Sequence, residues 1–142
     1  MRIHMAVSLY VLIFARFFAF SRAEYAALLL TIGGVFSAEV FNTSLELLAN
    51  RVSKKKDPFI RASKDSAAGA VLVLAVMAVF IGLFLFGDIA AWKRLVLFYA
   101  SHPVNLAGII LLAPALLFFI AKGPSGIAKM MRKIIGRDKK KK

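Results

Sequence analysis

Long apolar runs alternate with short polar stretches along this chain. Four runs stand out: Ile3–Phe20, Tyr25–Leu48, Ala67–Phe86 and Val104–Ala121. A helix needs about 20 mostly apolar residues to cross the hydrocarbon core of a membrane, and each run comes near that length. The first run is interrupted by Arg16 near its end, the third carries no charge, and the fourth contains Pro114, which predicts a kink. Between them, Asn50–Ser66 is basic and Gly87–Pro103 is mixed. The stretch Ile89–Tyr99, with Trp92, Lys93, Arg94 and Tyr99, has the make-up of a segment lying in the membrane interface. No internal repeat is present. The pattern predicts an all-α integral membrane helical bundle: three core helices within residues 1–86, an interfacial segment and a fourth transmembrane helix within 87–121, and a basic amphipathic tail over 122–142.

Composition strengthens this reading. Of the 142 residues, 61% are hydrophobic, and the mean hydropathy is +0.78. Soluble domains run near 45–50% apolar, so a chain this short could not hide the excess from water. The absence of cysteine excludes disulfides, thiolate zinc sites and thiol nucleophiles. His4 and His102 are the two histidines and lie far apart in sequence, which argues against a histidine metal site within one chain.

The net charge of +13 would suggest nucleic acid in a soluble protein. Here the basic residues flank apolar runs, which points to anionic lipid headgroups and membrane orientation, with no nucleic-acid partner. Placing the N-terminus, the second loop and the tail on one side gathers 16 of the 20 Lys and Arg residues there. The positive-inside rule then predicts a multi-pass protein of the cytoplasmic membrane with both termini cytoplasmic. Arg2 before an apolar run resembles a signal peptide, but no small-residue cleavage site separates it from the next run, so a retained helix is expected. In Gly126–Gly136, an apolar stripe of Ile127, Met130, Met131, Ile134 and Ile135 flanked by Lys129, Arg132 and Lys133 predicts a surface-lying helix. The final Lys139–Lys142 reads as a solvated, lipid-attracted end.

The second run carries Glu39, Asn42 and Glu46. At about 100° per residue, these three fall within roughly 60° on one helical face. A carboxylate inside the membrane costs several kcal/mol to insert, and no Lys or Arg lies between Tyr25 and Leu48 to offset Glu39. Its partner must come from another helix, a bound metal or a proton. Glu46, nearer the helix end, can hold magnesium through hard oxygen ligands with nucleotide phosphates completing the shell. Glu39, about 10 Å deeper, sits where a lipid hydroxyl would arrive and suits a general base. Asn42, between them, can orient either. The alternative is polar glue between helices, with Glu39 protonated.

Phosphates call for positive charge and free N–H groups. No G-x-x-x-x-G-K-[ST] motif occurs. The Gly33-Gly34 pair reads as close helix packing. The segment Ala62–Ser66 is expected at the start of the third helix, where Ser63 or Asp65 can cap it, its N–H groups favour an anion and Lys64 adds a point charge. Asp65 can hold a metal, pair with Lys64 or only cap. An ordinary basic loop beside a membrane helix is the competing reading.

These residues resemble a known pattern. Glu39-Val40-Phe41-Asn42-Thr43-Ser44-Leu45-Glu46 is similar to the E-x-x-N-[ST]-x-x-E signature of the prokaryotic diacylglycerol kinase family, and Ser63–Val71 resembles its A-K-D-x-x-x-x-A-V segment. Arg2-Ile3-His4 resembles the R-I-H entry of undecaprenol-kinase-like members. The resemblance covers roughly residues 1–86, making that stretch a lipid-kinase-like membrane core. It implies a small homotrimer transferring the γ-phosphoryl of MgATP to a lipid alcohol at the inner face of the bacterial membrane. It further implies Glu39 as catalytic base, Glu46 as metal ligand, Asn42 as a site residue, and Lys64 and Asp65 near the nucleotide.

Three features depart from the family pattern. Its further metal-binding glutamate and amphipathic surface helix precede the R-I-H stretch, whereas the sequence opens at Met1. The expectations are a start codon placed elsewhere, a shortened chain, or magnesium held differently. Asn50 stands where the family often has Asp, and Lys54-Lys55-Lys56 where it often has acidic residues or His. The expected acceptor is undecaprenol. The rivals are diacylglycerol as acceptor, a non-catalytic relative, and a small proton-coupled transporter using Glu39.

Overall fold

The computed structural model describes residues 2–52 and 57–138, all of them helix or short turn, with no strand among them. Five helices follow in order: α1 (Arg2–Ala15), α2 (Arg22–Val52), α3 (Pro58–Leu85), α4 (Ile89–Ser101) and α5 (Pro103–Asp138). Three stretches are long and apolar enough to cross a membrane: Arg22–Val52, Pro58–Leu85 and Pro103–Gly123. The Lys54–Lys56 loop and the terminal Lys139–Lys142 run lie outside the described residues, as do most side chains of the expected tail stripe.

Local sequence sets each boundary. Ser21 and Glu24 form a reciprocal capping box: the Glu24 N–H donates to Ser21 Oγ at 3.2 Å and the Ser21 N–H donates to Glu24 Oε2 at 2.7 Å. This starts α2 three residues before its apolar run. Asp57 caps α3, accepting from the N–H groups of Phe59 and Ile60, with Pro58 as first helical residue. Asp88 caps α4 through the Ala90 N–H at 2.8 Å.

One sequence expectation needs correction. The first run does not form one helix to Phe20. α1 stops at Ala15, and Ala19 takes a left-handed φ of 45° as the chain turns. That leaves 14 helical residues, about 21 Å, short of a full span by itself. The fourth run carries Pro114 inside α5. α5 keeps helical dihedrals there and breaks at Gly123, where φ is +67°. Pro114 fits a helical φ and costs a membrane helix only a recoverable N–H, whereas a positive φ calls for glycine.

Packing is uneven along the bundle. α2 and α3 form a long antiparallel hairpin, with α1 against α2 and α5 and with α4 against α5. Phe18, Ala91, Leu95 and Tyr99 are buried together, and Ala15, Leu28 and Leu85 form a second cluster. Both sit where α1 ends, α2 begins and α3 ends. Aromatic rings fill that end: Phe18 meets Phe86 edge-on at 4.7 Å and Trp92 at 5.4 Å. The Arg16 guanidinium lies over the rings of Phe17 and Phe98 at 4.8 and 5.2 Å, which accounts for a charge inside the first apolar run. Elsewhere large apolar side chains face outward, Leu30 at 76% and Phe84 at 85% exposed, as expected where lipid replaces water. Gly34 faces Leu74 of α3, while Gly33 faces open space, so only one glycine of the pair serves helix contact.

Candidate functional site

The end of the bundle opposite the aromatic cluster gathers polar side chains. α1 runs antiparallel to α2, so its first turn lies beside the second half of α2. There His4 Nδ1 comes within 2.7 Å of Glu39 Oε1. The distance is that of a hydrogen bond, but the ring is turned off the bond axis, and Nδ1 is sealed from solvent. The Glu39 side chain is 15% exposed and that of His4 33%. One partner for Glu39 thus comes from another helix, a histidine of α1. His4 stood in the sequence only as a motif letter. Its role depends on the antiparallel register that sets residue 4 against residue 39, which no local pattern reveals.

Arg2, one half-turn before His4, holds α1 to α5. Its Nη1 donates to the Ile120 carbonyl at 2.6 Å. Farther along, the Tyr10 hydroxyl donates to the Ile109 carbonyl at 3.3 Å. Gly123 lies close beneath the guanidinium: a Cβ there would stand 2.7 Å from Arg2 Nη1.

Asn42 points differently from Glu39. It lines a groove of about 480 Å³ between α2 and α3, walled by Ala38, Ala67, Ala70 and Leu74. Its Oδ1 is buried without a hydrogen-bond partner. An orphaned buried carbonyl oxygen is costly, of order 1–3 kcal/mol, and asks for a donor. Glu46 lies two turns beyond Glu39 on nearly the same azimuth, past the first turn of α1, and is exposed.

The segment Ala62–Ser66 is not a helix start. Because Asp57 caps α3, Ser63 and Lys64 lie in the second turn of α3, where N–H groups already bond to the helix. The Ser63 hydroxyl donates to the Phe59 carbonyl at 3.0 Å. The expected anion site on free N–H groups at residues 62–66 is thus lost, and neither Ser63 nor Asp65 is the cap. Asp65 faces solvent, 3.8 Å from Arg61 Nε one turn earlier. Lys64 turns inward instead: its Nζ donates to Asn50 Oδ1 at 3.2 Å. It lines a second groove of about 200 Å³ with Leu48 and Ile60.

Among the described residues no three His, Cys, Asp or Glu side chains come together as a metal cage. Magnesium is usually bound through one or two carboxylates with water and phosphate oxygens in the remaining positions. Glu46 alone fits an ion that arrives with a nucleotide and does not fit one held by protein ligands only.

Known proteins share this arrangement of motifs. The family model for prokaryotic diacylglycerol kinase matches residues 1–86. An undecaprenol kinase of Bacillus subtilis (strain 168) is 41% identical over 83 residues, covering 58% of this chain and 68% of that protein. No solved structure matches.

Proposed function

The chain belongs to the prokaryotic diacylglycerol kinase family and is a membrane lipid kinase, and from that premise we propose that it transfers the γ-phosphoryl of ATP to undecaprenol. The observation that carries the chemistry is the placement of Glu39, a largely shielded carboxylate at the polar end of an otherwise apolar bundle. The choice of undecaprenol rests on the kinship to the Bacillus subtilis enzyme. Diacylglycerol is the second reading, supported by the description of the family.

In this reading the lipid lies along the bundle with its hydroxyl at Glu39. The carboxylate takes the hydroxyl proton as the oxygen attacks the γ-phosphorus. The bond between that phosphorus and the β–γ bridging oxygen breaks, releasing ADP. Phosphoryl transfer asks the protein mainly for position and charge neutralisation. Asn42, which lines the α2–α3 groove and has an unpartnered buried Oδ1, accepts from a bound water. Lys64 supplies a point charge to the nucleotide phosphates. Asp65, paired with Arg61, stands near the nucleotide without bonding it. Glu46 would hold the magnesium ion that enters with ATP, whose chemistry there is neutralisation of phosphate charge. The orientation in keeping with the basic residues at this end places both termini on the cytoplasmic side of the bacterial membrane, and family membership supports a homotrimer as the assembly.

The test is transfer of label from γ-labelled MgATP in detergent micelles, with undecaprenol and diacylglycerol offered side by side. Labelled undecaprenyl phosphate is the expected product. A preference for diacylglycerol replaces the acceptor, and no labelled lipid from correctly folded protein overturns the activity.

A further inference from the structure

We propose that His4 is a positioning residue for the transfer, holding the Glu39 carboxylate in the orientation that meets the lipid hydroxyl. The inference rests on the reading of Glu39 as proton acceptor and deepens it.

Three observations carry it. His4 Nδ1 lies 2.7 Å from Glu39 Oε1 although the two side chains come from different helices. That nitrogen is shielded from solvent and makes no well-aligned hydrogen bond, so a small ring rotation toward the carboxylate gains a bond and gives up none. Poor alignment of this kind is common before substrate binds and tightens in the reacting complex. Finally, the turn carrying His4 is anchored on its other side, with Arg2 Nη1 on the Ile120 carbonyl at 2.6 Å and the Tyr10 hydroxyl on that of Ile109. The ring is thereby pressed between a tethered helix and the carboxylate.

The physical effect is on geometry. A glutamate has three side-chain torsions, and a donor from a second helix aimed at one oxygen restricts which way the other oxygen faces. Misplacing a reacting group by 1 Å can cost about 100-fold in rate. A packing role for His4 would need volume at this place. A positioning role needs a donor at the place of Nδ1, and these separate experimentally. The amide nitrogen of asparagine sits the same number of bonds from Cα as Nδ1, while that of glutamine sits one bond farther.

The experiment measures kcat and KM of His4→Asn, His4→Gln and His4→Ala with labelled MgATP and undecaprenol in micelles. Size-exclusion chromatography and circular dichroism check each variant for folding. His4→Ala and His4→Gln are expected to lose about 10- to 100-fold in kcat with KM values for both substrates held within about twofold, and His4→Asn to recover most of the loss. Wild-type kcat in His4→Ala, a loss carried by KM, or folded His4→Asn no better than His4→Gln overturns the proposal. Should His4→Ala fail to fold, the contrast between asparagine and glutamine decides. Failure of the wild-type protein to label any lipid refutes the kinase reading itself and is told apart by that control.

Discussion

Lys64 of α3 reaches across the hairpin to Asn50 of α2, donating from Nζ to Oδ1 at 3.2 Å. The partner is neutral, so the ammonium is oriented but its charge is not cancelled. An aspartate at residue 50 would compete with any phosphate for that charge. Lys64→Met is therefore expected to raise KM for ATP about tenfold, the loss of one charge-assisted hydrogen bond, with KM for the lipid unchanged. An unchanged ATP dependence would remove Lys64 from the nucleotide site.

Glu39→Gln keeps the shape of the side chain and removes its ability to take a proton. Turnover is expected to fall by about 100-fold or more, with assembly in detergent unaltered. Full activity in this variant would exclude Glu39 as the base.

Glu46 lies beyond the start of α1 and meets solvent. Glu46→Gln is expected to shift the magnesium concentration for half-maximal activity upward by about tenfold or more, and excess magnesium to restore much of the rate. An identical magnesium titration would place the ion elsewhere.

Gly123 combines a φ of +67° with an Arg2 guanidinium only 2.7 Å from where a Cβ would stand. Gly123→Ala is expected to destabilise the fold by about 1–3 kcal/mol, the cost of holding an L-residue at φ 67° and ψ 171°, a region open essentially to glycine, read from unfolding in detergent. Arg2 can swing aside, so lost activity should accompany lost stability only if the α1–α5 tether matters to the site.

Asp88 caps α4 on the Ala90 N–H and meets Arg94 at 3.3 Å. The Ala90 N–H foremost, with the Ala91 N–H and Arg94 adding to it, holds its carboxyl below the usual carboxylate range. A lowered folded-state value means that the unfolded chain takes up the proton first as pH falls. The contribution of Asp88 is then complete above the usual carboxylate range and is lost as pH drops through the folded value. Unfolding midpoints of wild type and Asp88→Asn should differ at neutral pH, and the difference should shrink as pH falls below the usual carboxylate range. A constant difference would show that the charge is irrelevant.

Much of the fold was readable from sequence because apolar runs of membrane length leave little choice of element. What the runs could not show was where helices start. The capping box at Ser21 and the Asp57-Pro58 pair extend α2 and α3 well beyond their apolar stretches, and the second of these moved Lys64 from a helix end into its body. The triad Glu39, Asn42 and Glu46 was found by helical spacing alone. Its division among three surroundings was not, since that depends on which helix lies alongside at each height. His4 illustrates the same limit from the other side: a residue without local context gains one only when α1 folds back on α2.

The two arginines of the α1 segment carry a consequence for how that helix is held. Charged residues near helix ends in membranes often reach outward to the headgroups, but Arg2 is engaged by the Ile120 carbonyl and Arg16 lies over aromatic rings. Both charges are turned back onto the chain, so α1 is clipped to its neighbours near either end.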